Sequence, residues 1–360
     1  MKHTLLVCCV VLCMGIAPSC YAAKTILLLH SGSPGTPWAD RVAEGVRAEL
    51  SEAGANAELV RLWAGADQDN SEDHFEVVSD ELDAVVNTHA LAGVICDGDT
   101  AFALLRKHGR GLFKGIPAAF CGVFEFREFM AGQYPGVCAV YQAEETFENM
   151  LKLHPRARTV AVIVDGSEAG EQIRKQVETA FARHMDRVQL IFPGHEEGRD
   201  QGLLRSDVLK VAAHMPGDGL LLFGTFTRDR NGAPVDEAAL AKEVISCSKV
   251  PVHVLSDIHF GYGAAGGLLV DSIGHGKAAV RLLMKQWKSI PTQVPTKSTL
   301  ANQWHYDKAG LQRALTDMSV LDAPSPRKQP VPESGNRLWI YMAGGLAAVI
   351  FLIAFLRRRG

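Results

Sequence analysis

Residues 24–63 read KTILLLHSGSPGTPWADRVAEGVRAELSEAGANAELVRLW, and the order of patterns in this stretch decides the fold. Lys24 to His30 is a short, nearly continuous apolar run, the pattern of a strand covered on both faces. Pro37 to Gly54 carries Val42, Val46 and Leu50 at helical spacing, with proline at its start and glycine at its end. Asn56 to Trp63 then returns to a strand pattern. A helix between two strands is the crossover that parallel pairing needs, so the stretch predicts a βαβ unit.

Moving outward, the alternation repeats: helix Glu72 to His89, strand Leu91 to Asp97, helix Thr100 to His108, and strand Gly115 to Val123. It restarts after Tyr141 with helix Glu144 to His154, strand Arg158 to Asp165, helix Glu168 to His184, strand Arg187 to Phe192, helix Gln201 to His214, strand Asp218 to Thr225, helix Asp236 to Ser246 and strand Val250 to Asp257. The expected fold class is therefore α/β, with two doubly wound parallel-sheet lobes over residues 24–141 and 142–257. The remaining patterns, GGLLVD, helix Ser272 to Trp287 and NQWHYD, are too few for a third domain, so residues 258–321 are expected to return across both lobes and join them.

The two ends differ from this body. Residues 1–23 place Lys2 before the apolar run Leu5 to Ala17 and end in small residues, the arrangement of a secretory signal peptide cleaved after Ala22 or Ala23. Retention as an anchor and lipoprotein processing at Cys20 are the alternatives. Leu338 to Leu356 is uncharged, opens on Trp339 and Tyr341, and is followed by Arg357, Arg358 and Arg359. At 1.5 Å per residue it covers about 28 Å, one bilayer core, and the arginines belong inside. A C-terminal transmembrane helix over 338–356 with a cytoplasmic tail at 357–360 is expected. It would anchor an extracytoplasmic body, N-out and C-in, through the Pro-rich stalk 322–337.

Hydrophobic residues make up 47% of the 360 and charged residues 21%, which excludes both a disordered chain and a polytopic membrane protein. The 37 basic and 40 acidic residues give a formal charge of −3, with no basic excess for phosphate contacts, so nucleic acid is not an expected partner. Four of the eight cysteines lie in the signal segment. Cys96, Cys121, Cys138 and Cys247 remain in an oxidising compartment with no metal-ligand spacing, either as small buried thiols or with a disulfide among them.

In open parallel sheets, ligands sit beyond the carboxyl ends of the strands. Six strand ends here are polar or small: His30-Ser31-Gly32-Ser33, Asp97-Gly98-Asp99, Cys121-Gly122-Val123, Asp165-Gly166-Ser167, Gly224-Thr225 and Ser256-Asp257. The candidate ligand-binding residues are therefore Ser31, Ser33, Trp38, Asp97, Asp99 and Cys121 from the first lobe. The second lobe adds Asp165, Ser167, Glu168, Thr225, Asp257 and His259. Trp38 offers a flat wall for a ring or alkyl group, while hydroxyls and backbone N–H groups suit a carboxylate or amide.

The segments LLLHSGSPGTPWADRVAEGVRAEL, LFKGIPAAFCGV, NMLKLHPRARTVAVIVDGSEAG and GGLLVDSIGHGKAAVRLLMKQW resemble the uncharacterised ABC-type substrate-binding family, in collinear order over about residues 24–320. The resemblance implies the type I periplasmic-binding-protein fold, which also serves as the extracytoplasmic sensing region of membrane histidine kinases and diguanylate cyclases. Sensor members commonly read Ser-Tyr-His where this chain has Ser31-Gly32-Ser33, and no kinase or cyclase output domain is expected here.

Other motifs do not fit their usual chemistry. Gly261 to Gly266 satisfies GxGxxG but precedes a strand rather than a helix, and Gly276-Lys277 lacks the first glycine and the Ser or Thr of a P-loop. Asp97 with Asp99, and His253 with His259, have too few partners at metal spacing, so no metal or cofactor is expected. No nucleophile elbow or HExxH is present, and a hydrolase is the less favoured reading. The expectation is a solute-binding protein closing on a small molecule, such as an amino acid or another small polar or aromatic compound. It would serve an ABC permease, or a separate membrane signalling protein as a receptor.

Overall fold

A computed structural model of the protein describes residues 24–311, apart from residues 70, 128, 129, 131, 133, 197, 198, 201 and 291–300. The first sheet is built from β1 (Lys24–His30), β2 (Ala57–Trp63), β3 (Leu91–Asp97), β4 (Ala118–Val123) and β5 (Gly136–Cys138), in the order β2-β1-β3-β4-β5 and parallel throughout. Successive side chains of a strand point to opposite faces, and both faces of this sheet are covered. Leu27, Leu29, Val94, Cys96 and Phe120 pack with Val78 and Leu82 of α2 (Glu72–Thr88) and Phe102 and Leu105 of α3 (Asp99–His108). Ile26, Leu28, Ile95, Ala119 and Cys121 face the other way, onto α1 (Pro37–Glu52) and α8 (Ser272–Trp287). The continuous apolar run of β1 follows from that double burial.

The second sheet contains β6 (Thr159–Val164), β7 (Gln189–Ile191), β10 (Gly219–Thr225), β11 (Val252–Val254), β12 (Gly266–Val270) and β13 (Asn302–Tyr306), in the order β13-β12-β11-β10-β6-β7. α4 (Ala143–Leu153) and α5 (Glu168–Phe181) cover one face, and α6 (Arg205–Ala213) and α7 (Glu237–Cys247) the other. A two-residue antiparallel pair, β8 (His195–Glu196) with β9 (Arg199–Asp200), follows β7, and α9 (Lys308–Leu311) follows β13.

Two features depart from the sequence reading. β5 has only three residues, Gly136, Val137 and Cys138, too short to stand out as an apolar run. β13 pairs antiparallel with β12, so the second sheet has one reversed edge. The chain passes between the sheets after β5, after β12 and again after α8. In the second passage α8 leaves the β12 end of one sheet and packs on the α1 face of the other. The contact is backbone to backbone: a Cβ on Gly45 would strike the Ile273 carbonyl oxygen, and one on Gly276 the Val42 carbonyl oxygen. Trp287 Nε1 donates to the Ala92 carbonyl at 2.7 Å and Gln286 Nε2 to that of Ala118 at 2.8 Å, fixing the far end of α8.

The signal peptide 1–23, stalk 322–337, span 338–356 and tail 357–360 lie outside the described residues. Among the described residues, no helix is long and apolar enough to cross a membrane. Cys96, Cys121, Cys138 and Cys247 stand as thiols, and burial pushes those of Cys96 and Cys121 well up from their ordinary range.

Candidate functional site

The carboxyl ends of both sheets open onto one cavity of about 390 Å³, lined from one side by Ser31, Trp38, Asp97, Asp99 and Phe124 and from the other by Ser167, Thr225, Thr227, Glu237 and Ser256. A groove of about 710 Å³ continues outward past Ser33, Asp67, Arg228 and Asp236.

On the first side, Asp97 ends β3 and is only 2% exposed. Its Oδ1 accepts from Trp38 Nε1 and its Oδ2 bonds His30 Nδ1, both at 2.8 Å. Arg61 Nε donates to His30 Nε2 at 3.1 Å. An arginine can only donate, so the histidine proton sits on Nδ1 and is given to Asp97. This chain fixes the Trp38 indole at the cavity wall. Gly122 has φ +66, and a Cβ there would lie 2.7 Å from Asp97 Oδ1, so only glycine lets β4 pass this pair. Asp99, first residue of α3, accepts the N–H groups of Glu125 at 2.9 Å and Phe124 at 3.2 Å. Burial raises its pKa to about 6 despite those two donors.

On the second side, Asp165 collects the N–H and hydroxyl of Ser167, those of Thr227 at 2.7 and 2.8 Å, and the Arg228 N–H at 3.3 Å. Ser167 in turn caps α5 by accepting from Gly170 N–H at 3.1 Å. Glu237, at the start of α7, accepts the Phe226 N–H at 2.7 Å, and its other oxygen stands 3.3 Å from His259 Nε2. Burial alone would raise its pKa, but His259 and the hydrogen bonds from Thr225 and Phe226 outweigh that and hold it below the ordinary glutamate value. An aromatic row closes the base: Trp38 and Phe124 have ring centroids 6.0 Å apart, and Phe124 and Tyr141 5.0 Å.

No family model and no curated protein matches this chain. Solved structures do. A conserved domain protein from Vibrio cholerae O1 biovar El Tor is 14% identical, with a TM-score of 0.56, covering 83% of this chain and 98% of its own. The ABC domain in complex with L-Trp from Streptococcus pneumonia is 16% identical over 84% of this chain and 98% of its own, also at 0.56. An ABC transporter periplasmic solute-binding protein from Actinobacillus succinogenes with bound D-allose is 12% identical over 80% and 99%, at 0.52. The fold is that of a type I periplasmic binding protein.

Within that fold, Ser31, Trp38, Asp97, Asp99, Ser167 and Thr225 line the cavity, and Ser33 lines the outer groove, donating to Asp67 Oδ1 at 2.7 Å. The other sequence candidates sit elsewhere. Cys121 lies on the α8 face of β4 and is wholly buried. Asp165 is buried beneath Ser167 and Thr227. Glu168 is at the rim, paired with Arg127 of the first lobe at 3.0 Å. Asp257 is buried under Arg41, whose Nε reaches it at 2.9 Å, and takes the N–H and hydroxyl of Ser272 at the start of α8. His259 is enclosed against the Phe223 ring, centroids 5.0 Å apart.

Glu237, Tyr141, Phe124, Glu125 and Thr227 line the cavity without being candidates in the sequence. Two of them had a signal. Tyr141 stands where the strand-helix alternation restarts, and a residue at a chain crossing lies at the base of any interlobe cleft. Glu237 follows Asp236, whose side chain caps α7 by accepting from Ala239 N–H at 2.9 Å, so it opens a helix at a strand's carboxyl end. Among the described residues, no group of three or more His, Cys, Asp or Glu side chains is gathered to hold a metal ion.

Proposed function

We propose that this is an extracytoplasmic solute-binding protein that closes its two lobes on a small molecule held between them, anchored to the membrane by the segment 338–356. The observation that carries the reading is the single cavity fed by strand ends of both sheets, with Trp38, Asp99 and Phe124 on one side and Ser167, Thr225 and Glu237 on the other. Its volume, about 390 Å³, suits one small solute. The passages of the chain between the sheets after β5 and after β12 supply the hinge.

Binding rather than turnover is supported by the cavity hydroxyls. Ser31 Oγ donates to the Asp97 carbonyl at 2.8 Å and accepts from Ala101 N–H at 2.9 Å, and Ser167 donates to Asp165. Each is engaged as a turn or cap and neither has a histidine base. The solved relatives are described as binding L-Trp and D-allose, and delivery to an ABC permease is the corresponding role here. The uncharged run at 338–356 supports the second reading, a tethered receptor signalling to a separate kinase or cyclase. Neighbouring permease and ATPase genes would favour the first, and a kinase or cyclase gene the second.

The test is a thermal-shift and calorimetric screen of the full-length protein against amino acids, amines, carboxylates, nucleosides and sugars, with Trp38→Ala alongside. A solute at 100 times its Kd adds about 2.7 kcal/mol of stability. Binding of one solute, weakened at least tenfold in the variant, is expected. A bound solute indifferent to Trp38→Ala would place the site elsewhere.

A further inference from the structure

Resting on the cleft reading, we propose that the solute is a small organic cation, an amine carried on an aromatic or aliphatic skeleton, rather than a carboxylate or a sugar. The carboxylates lining the inner cavity are Asp97, Asp99, Glu125 and Glu237; among the described residues that line it there is no Lys, Arg or His. The nearby cations are already paired or lie outside: Arg127 with Glu168 at the rim, Arg41 with Asp257 beneath the floor, and Arg228 in the outer groove among Asp67, Asp236 and Glu237.

An anionic solute in this fold would use the free N–H groups at helix N-termini. Here three of the four helices that start at the cavity carry a carboxylate facing it or its rim in the first turn, Asp99 in α3, Glu168 in α5 and Glu237 in α7, while Asp40 in α1 is turned to Arg61. The N–H groups of Ala101, Gly170 and Ala239 in those first turns are already taken by the side chains of Ser31, Ser167 and Asp236, and the carboxylates add negative charge to what would be positive ends. Each oxygen of Asp99 accepts one N–H, leaving a lone pair for a solute donor. Glu237, with the Phe226 N–H on one oxygen and His259 Nε2 3.3 Å from the other, keeps its charge in a nearly buried position, 13% exposed, where an opposite charge is attracted far more strongly than in water.

The apolar lining matches. Trp38, Phe124 and Tyr141 form a continuous aromatic row beside these acids. A cation is the charged species that gains from both an aromatic face and a carboxylate, whereas an anion is repelled by both. A sugar needs donors and acceptors in balance, and in the inner lining the hydroxyls of Ser31, Ser167 and Thr227 and the Trp38 indole N–H already donate to Asp97 and Asp165.

The experiment measures binding of the full-length protein to tryptamine, phenethylamine, putrescine and choline by calorimetry, each beside the carboxylate or alcohol of matching skeleton, and to L-tryptophan and D-allose. At least one amine should bind tenfold or more tightly than its counterparts, and tryptamine more tightly than L-tryptophan, which adds a carboxylate to the same skeleton. Glu237→Gln, which keeps shape and removes charge, should weaken the amine at least tenfold, with Asp99→Asn as the parallel variant if the first does not fold. Tighter binding of a carboxylate, an alcohol, D-allose or L-tryptophan, still lost in Trp38→Ala, would overturn the cationic solute and leave the cleft reading standing. No binding by any compound would overturn both.

Discussion

Asp165 illustrates how a residue at a strand end can serve the site without touching its contents. Its carboxylate accepts from Ser167, Thr227 and Arg228, joining the loop after β6 to the loop after β10. Asp165→Ala leaves those donors buried without an acceptor and is expected to destabilise the protein by about 2–4 kcal/mol in urea unfolding, while Ser33→Ala, at the outer groove, costs less than about 1. Buried histidines set the acid limit. Burial lowers His154 to about 4 and His275 to about 4; burial and the neighbouring His154, 3.1 Å away, lower His253 to about 3. Unfolded histidines titrate near 6.5, so below that pH the unfolded chain takes up protons that the folded one refuses. Each histidine then removes about 2 kcal/mol by pH 5. Burial raises Asp99 to about 6 and also raises Asp257; such acids act in the opposite sense, about 1 kcal/mol for Asp99. The histidines win, and the melting temperature should fall steadily between pH 7 and 5; a flat profile would show that they are not buried as neutral rings.

At the scale of elements, the contact between α1 and α8 depends on two glycines. Gly45→Ala or Gly276→Ala places a methyl group against a facing carbonyl, and each should cost about 1–3 kcal/mol and lower the unfolding midpoint, because neither backbone can retreat without lifting α8 off the sheet. These glycines show what a sequence conceals. The elements themselves were legible wherever one pattern ran for six residues or more, as in Lys24 to His30 or Gly219 to Thr225. β5 was not, since Gly136, Val137 and Cys138 borrow their strand character from pairing with β4. The direction of β13 was also hidden, because Asn302 to Tyr306 has the same composition whichever way it pairs. At the site, position at a strand end located Asp97, Asp99 and Thr225, and position at the start of the first helix located Trp38, but neither told whether a side chain turns outward. Cys121 and its neighbour Gly122 differ by one place along β4, and that one place sends the thiol into the core and leaves the glycine at the cavity.

For the whole molecule, the proposed function turns on a balance between open and closed lobes. Arg127 and Glu168 meet at 3.0 Å across the rim, both substantially exposed. An exposed pair contributes at most about 1 kcal/mol, so Arg127→Glu should weaken solute binding by a few-fold and enlarge the particle in X-ray scattering. Exchange of the two charges, Arg127→Glu with Glu168→Arg, should restore both; failure of the exchange would show that the pair has no part in closure. The placement of α8 bears on a different event, the birth of the chain. Ile26, Leu28 and Ile95 are among the first apolar side chains of the body to leave the ribosome, yet Val280 and Leu283, which pack over them, come after five of the six strands of the second sheet. The part of that face left uncovered by α1 therefore stays bare through most of synthesis, a sticky surface that chaperones can hold. The sheet begun first is thus closed only after most of the second has been made, and its completion waits on nearly the whole chain.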